Sequence, residues 1–323
     1  HLPDIPYELI AVIAYAAGHS GLDRPTFWAR LAAHLEESGM EWAMRSLGRA
    51  VNGCRKLLVP HGVVGASEPA LMVLRVASRL QLRRRGEMTF HEASDMAKIL
   101  ATAPAGGLAG APGDDADGTE MLRCVCGLVR ESAAEFPPSY LAHSLHALVA
   151  VLYAGWPSGG GWADDAAREA RAAEVLEAVR TLAARLELQL CLCQPAEIEA
   201  VAEALHALAA WAPGSLVEEL GVAKLLAVQQ REAVRKAHEF DDGRLAWLAR
   251  ATVAACDALG RGAPMRPWFL PHLLEFLRPG AGERELLPPP AAEAPGLSAA
   301  AADDPAPAVA RTYGRLADWR EKK

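Results

Sequence analysis

The sequence has little of what marks secreted, membrane-spanning or aromatic-rich proteins. It holds six cysteines in 323 residues, too few for a secreted disulfide scaffold, so a reducing compartment is the simpler interpretation. Aromatic residues make up 6% of the chain, and Ala and Leu dominate the apolar set, which suits closely packed helices. No uncharged apolar run reaches ~18 residues, so we expect no membrane span.

The sequence also lacks the short motifs of common catalytic sites: the P-loop, a G-x-G-x-x-G after a strand, G-x-S-x-G and H-E-x-x-H. His143 and His146 could share a metal from one predicted helix, but no carboxylate there completes the ligand set. The pairs Cys124–Cys126 and Cys191–Cys193 lack the usual zinc spacing, and on a helix residues i and i+2 point apart. We therefore predict no catalytic residue, metal, cofactor or small-molecule substrate.

Apolar residues recur at helical spacing along almost the whole chain, and strand-like alternation is nearly absent. The predicted helices lie near 6–17, 25–37, 40–56, 69–84, 90–102, 118–134, 138–154, 165–188, 195–211, 215–239, 243–260, 267–277 and 306–321. Prolines that a first helical turn tolerates are Pro6, Pro25, Pro69, Pro138 and Pro195. Glycines placed where helices are expected to stop are Gly18, Gly39, Gly86 and Gly260.

Short helices separated by Gly or Pro breaks are typical of stacked helical hairpins. The segment Leu145–Leu148 (Leu-His-Ala-Leu) recurs at Leu205–Leu208, which favours an all-α helical-hairpin repeat, or α-solenoid; chance matches between Ala-rich helices are the alternative. We divide the chain into N-terminal helical repeats at 1–102, a flexible loop at 103–118, a second repeat block at 119–279, an extended Ala/Pro-rich linker at 280–307 and a C-terminal helix at 308–323.

The opening residues resemble a known repeat. They read Leu2–Leu9 (LPDIPYEL), then Ala14–Gly18 (AYAAG), then Phe27–Leu31 (FWARL). This Ala-rich helix, glycine, short turn and aromatic-led second helix resembles the hairpin unit of the organellar RNA-binding octotricopeptide and heptatricopeptide families, the latter often carrying a RAP domain. The resemblance covers residues 1–60 and, more loosely, 135–215. It implies stacked hairpins, an RNA partner and an organellar location.

Positive charge is concentrated in one basic stretch, Trp42–Gly86. It contains nine Lys or Arg and one acid, Glu68, for a net charge of +8, whereas the whole chain carries −7. Arg75, Arg79 and Arg83 are four residues apart, so a helix places them on one face. Arginine side chains match phosphate geometry, and such a patch attracts polyanions. The predicted RNA-binding residues are Arg45, Arg49, Arg55, Lys56, Arg75, Arg79, Arg83, Arg84 and Arg85.

These observations favour a non-catalytic, RNA-associated helical repeat protein. Its most specific form is a structural subunit of a mitochondrial ribosome, bound to rRNA and to other subunits in the organelle matrix. A start at His1 rather than Met would suit cleavage of a targeting segment. The alternatives are a scaffold or assembly subunit of a large mitochondrial complex, such as a respiratory complex or ATP synthase, and, for the basic stretch, an acidic protein partner or a solvated helix face.

Overall fold

A computed structural model describes residues 5–65, 68–102, 115–153, 165–211, 218–259 and 265–276. These residues form helices and no strand, and among them no helix is long and apolar enough to cross a membrane. The helices are α1 (Tyr7–His19), α2 (Pro25–Ser38), α3 (Met44–Gly65), α4 (Glu68–Arg83), α5 (Phe90–Thr102), α6 (Asp115–Ser132), α7 (Pro138–Tyr153), α8 (Asp165–Gln189), α9 (Pro195–Trp211), α10 (Val222–Arg235), α11 (Asp242–Leu259) and α12 (Phe269–Phe276).

The all-α prediction is confirmed, and most helix bounds agree with the sequence pattern to within three residues. Residues 115–118, predicted as loop, belong to α6. Gly18 was predicted to end α1 but lies inside it, and the chain turns at Gly21 instead, whose φ is +65°. The remainder of the 103–118 loop, Gly260, the 280–307 linker and the 308–323 helix lie outside the described residues.

Helices pack on their next-but-one neighbours. In the first unit of the chain, which includes residues 5–131, α1 packs on α3, α3 on α5, and α2 on α4. In the second unit, which includes 132–153 and 175–276, α7 packs on α9 and α9 on α11. The odd-numbered helices of each unit therefore form one row. The first unit extends to residue 131 and so includes nearly all of α6. The sequence analysis placed this helix in the second repeat block, 119–279.

The same connection recurs where an even-numbered helix leads into an odd-numbered one. A tight turn, usually a 3-10 turn, precedes one buried residue, whose N–H donates to the carbonyl three residues back. We call this the junction residue. The five junction residues are Trp42, Met88, Phe136, Cys193 and Phe240. The backbone is extended at four of them, with ψ between 137° and 148° at Trp42, Met88, Cys193 and Phe240. The spacings are 46, 48, 57 and 47 residues.

Counting from the junction residue gives every odd-numbered helix from α3 to α11 the same burial pattern. Positions 5, 9 and 12 are buried in all five helices; in α9 they are Ile198, Ala202 and Leu205. Positions 8 and 11 are buried as well. Because these spacings of three and four residues follow one helical stripe, the odd-numbered helices share a common register as well as a common packing.

The first odd-numbered helix departs from this pattern on one edge. Ile5 is its equivalent of a junction residue, and positions 5, 9 and 12 are again buried. Positions 4, 8 and 11, however, are exposed: Leu9 is 50% exposed, Ile13 is 38% exposed and Ala16 is exposed. In α3 and α5 the side chains at position 8, Ala50 and Met96, are fully buried. This edge of α1 is therefore apolar and exposed, whereas the corresponding position 8 is buried in α3 and α5.

Two glycines allow α1 and α3 to approach closely. A Cβ built on Gly53 would lie 2.3 Å from the Ala14 carbonyl oxygen, and one on Gly18 would lie 1.8 Å from the Gly53 carbonyl oxygen. Both distances are far inside van der Waals contact, so the two backbones meet where neither residue has a side chain. This crossing fixes the spacing of the first two odd-numbered helices.

Candidate nucleic-acid interface

The arginines of α4 share one outward stripe but contact carboxylates. Arg75, Arg79 and Arg83 are the less buried residues of a helix whose other face is buried. Arg75 pairs with Glu68 at 2.6 Å and is only 14% exposed, and Arg79 lies 3.7 Å from Glu36 of α2. The three arginines therefore lie on one stripe of α4, as predicted, but two of them contact glutamates of the protein itself.

The two arginines after α4 hold neighbouring segments together. Arg84 is 14% exposed, pairs with Glu87 and donates to the carbonyl oxygen of Trp42 at 2.5 Å. The ion pair raises the pKa of Arg84 and lowers that of Glu87. Arg85, which is 66% exposed, pairs with Glu120 of α6 at 2.8 Å. Arg84 thus reaches the preceding junction residue, and Arg85 reaches the next even-numbered helix.

Arg55 points toward α5 and not toward solvent. Its Nε donates to Asn52 Oδ1 at 3.1 Å, and burial lowers its pKa against the opposing charge of Asp95. Asn52 Nδ2 in turn donates to Asp95 Oδ1 at 3.0 Å. The structure therefore removes Arg55 from the outward-facing set that the sequence predicted.

The remaining basic residues lie on α3 along one line. Arg45, Arg49 and Lys56 occupy positions 3, 7 and 14 after the junction residue Trp42, and spacings of four and seven residues keep them on one helical face. Arg45 is exposed, and Arg49 and Lys56 are half-buried. The structure thus divides the basic stretch between α3, in the odd-numbered row, and α4, in the even-numbered one.

Positions 7 and 10 of the odd-numbered helices form a feature that sequence reasoning missed. From α3 to α11 they are mostly polar and mostly half-buried. We call them the polar row. From α3 to α11 its members are Arg49, Asn52, Asp95 and Lys98 in the first unit, and His143, His146, Ala200, Glu203, Trp247 and Arg250 in the second, with Ala200 the one apolar aliphatic residue of the ten; α1 has Val12 and Tyr15 at these positions and is not part of the row. The recurring pair of glutamate and buried apolar residue at four of the five junctions (41–42, 87–88, 135–136, 239–240) could have revealed this register.

Side chains of the polar row contact one another between adjacent helices. Asp95 accepts the Asn52 hydrogen bond and lies 3.5 Å from Lys98 Nζ. In the second unit, His146 Nε2 lies 2.7 Å from Glu203 Oε2. These contacts join α3 with α5 in the first unit and α7 with α9 in the second.

His206, one turn after Glu203 on α9, gives the second unit a pH dependence. Burial lowers its pKa, and the nearby Glu203 carboxylate only partly opposes this. As pH falls, His206 therefore binds a proton in the unfolded chain before it does so in the folded chain. This favours the unfolded state, so the free energy of unfolding decreases as pH falls below about 6.5. We expect His206→Leu to flatten the dependence of the free energy of unfolding on pH between about 7.5 and 5, measured by urea denaturation. His238→Leu, at an exposed position, is the control, and equal slopes in wild type and His206→Leu would contradict the prediction.

Other sequence candidates are accounted for by packing. Trp42 is fully buried and stacks on Tyr7 with ring centroids 5.4 Å apart, so it belongs to the core. Burial raises the pKa of Cys126 and of Cys193 to about 12, which keeps both as thiols. Within the described ranges, no group of three His, Cys, Asp or Glu side chains is arranged to hold a metal ion.

Comparison with protein-family models, with curated proteins and with solved structures found no match to this chain.

Proposed function

We propose that this protein is a non-catalytic, RNA-associated helical repeat protein, and that single-stranded RNA lies along the polar row of the first unit. The observation that carries the proposal is the repetition of polar residues at positions 7 and 10 in successive odd-numbered helices. In helical-repeat RNA-binding proteins, two or three side chains of each repeat read one base. The shared register and next-but-one packing of these helices support a hairpin-repeat, α-solenoid interpretation of the fold.

The charge distribution supports the same surface. Arg45 and Arg49 line the α3 part of the row and can serve phosphates. The neighbouring row residues Asn52 and Asp95 offer an amide and a carboxylate, which suit hydrogen bonding to base edges. On α4, by contrast, Arg75 and Arg79 already face Glu68 and Glu36. We therefore assign the main phosphate contacts to α3.

We expect Arg45→Gln/Arg49→Gln to weaken binding of a single-stranded RNA oligonucleotide and to reduce the magnitude of the slope of log K against log salt by about 1.4, because two phosphate contacts to a single strand are lost. Fluorescence anisotropy across a salt series measures both quantities. The matched control is Arg79→Gln/Arg83→Gln, which removes the same charge from α4 and should change the slope less. A larger loss in the α4 variant would move the RNA to the even-numbered helices, and no loss in either would contradict RNA binding by the basic stretch.

In the cell, the proposal places the protein in a mitochondrial ribosome, bound to rRNA in the matrix, as the sequence resemblance to organellar RNA-binding families suggests. The alternative is a scaffold of a respiratory or ATP synthase assembly. Sedimentation of a mitochondrial extract separates them, because nuclease should release a ribosomal subunit from its particle and leave a protein scaffold bound.

A further inference from the structure

A cleft in the second unit is lined by two arginines and a tryptophan. Its volume is about 280 Å³, and it is lined by Ala227 and Val228 of α10, by Arg231 one turn later, and by Arg266 and Trp268 of the segment before α12. Trp268 is 37% exposed, and the Arg231 side chain is 64% exposed. The cleft therefore offers an apolar floor, one aromatic wall and two cations.

Buried residues anchor the segment that carries Arg266 and Trp268. The backbone N–H of Arg266 donates to Gln230 Oε1 at 2.8 Å, and Gln230 is 1% exposed. Phe269, directly after Trp268, is fully buried. On the far side, the Trp268 carbonyl lies 2.8 Å from His272 Nδ1. The segment that carries Arg266 and Trp268 is thus fixed at both ends, which lowers the entropic cost of binding a ligand.

The charges around the cleft leave it cationic. Glu232, the acid adjoining it, is 3% exposed in its side chain and is paired on both sides, with Arg231 Nε at 3.1 Å and Arg235 Nε at 2.5 Å. Among the described residues that line the cleft there is no acid. Arg231 contacts Glu232 through its Nε. Two guanidinium groups against one doubly paired carboxylate favour an anionic ligand.

From this arrangement we infer that the cleft binds a nucleoside phosphate, with the base stacked on Trp268 and the phosphate held by Arg266 and Arg231. Bases stack on aromatic side chains regardless of sequence, and arginine binds phosphate through paired hydrogen bonds. The cleft lies at the small end of ligand sites, which suits one nucleotide. A free nucleotide and a terminal nucleotide of RNA share this chemistry. The inference does not require RNA on the polar row.

Binding of adenosine 5′-monophosphate to the full chain, measured by isothermal titration calorimetry, tests the inference. We expect saturable binding that Trp268→Ala weakens by roughly tenfold or more, through loss of stacking, with Trp268→Phe retaining part of it. Arg266→Gln should weaken binding of the nucleotide more than binding of adenosine. Lys224→Gln, an exposed cation of α10 outside the cleft, is the matched control and should leave the affinity unchanged.

A short single-stranded oligoadenylate and inorganic phosphate are the comparison ligands. Equal affinity for the mononucleotide and the oligonucleotide identifies a free-nucleotide site, and tighter oligonucleotide binding that depends on Trp268 identifies a strand end; both support the inference. It fails if neither ligand binds, if phosphate binds as well as the nucleotide, or if Trp268→Ala has no effect. Variants of Arg45 and Arg49 test the polar row separately, so either proposal can fail alone.

Discussion

Gly53→Ala is expected to destabilise the first unit by about 3 kcal/mol, the upper end of the usual cost of overpacking. The added methyl would lie 2.3 Å from the Ala14 carbonyl oxygen and 2.9 Å from the Tyr15 Cα. Both obstructing atoms belong to the backbone of α1, so no side-chain rotation relieves the overlap. The helices must separate, which also strips contacts from the buried residues beside the crossing.

The same substitution elsewhere in the unit should have the opposite sign. Gly127 lies inside α6, and a Cβ built on it meets no atom within 4 Å. Gly127→Ala should therefore stabilise by about 0.5–1 kcal/mol, because glycine costs that much in a helix interior. Urea denaturation of both variants measures the difference. Hydrogen exchange should show faster exchange of α1 and α3 in Gly53→Ala, and a cost below about 1 kcal/mol would show that the crossing adapts easily.

The different roles of these glycines show which features can be predicted from the sequence and which cannot. Apolar spacing located the helices, because burial of a helical stripe depends on local periodicity. The role of Gly18 was misread as a helix stop, because its partner, Gly53, is distant in sequence. Nothing local distinguishes a glycine that ends a helix from one that lets another helix approach.

The candidate site divides in the same way. The spacing of Arg75, Arg79 and Arg83 correctly placed them on one stripe of α4. The acids that meet the basic stretch in space, such as Glu36, Asp95 and Glu120, lie outside it in sequence, so a charge count along the chain overstated its field. The polar row depends on register, which appeared only after the junction residues aligned the odd-numbered helices.

Asp95→Asn is expected to cost about 3 kcal/mol, the lower end of the range for breaking a buried ion pair. Asp95 sits between Lys98 and Arg55, and its side chain is 18% exposed. Burial raises the pKa of Asp95 and lowers the pKa of Lys98, so the carboxylate and the ammonium groups depend on each other to stay charged. Asparagine keeps the shape and can still accept from Asn52, but it leaves two cations with less compensation.

A double variant separates charge from shape. If the cost of Asp95→Asn arises from uncompensated cations, adding Lys98→Met should recover a large part of it, since buried ion pairs can often be replaced by apolar groups at little cost. Glu120→Gln, which breaks the exposed pair with Arg85, should cost less than about 1 kcal/mol. Urea denaturation of wild type, Asp95→Asn, Lys98→Met and the double variant completes the cycle. If the double variant is no more stable than Asp95→Asn, the cost does not arise from the uncompensated charge of Lys98, and the prediction is wrong.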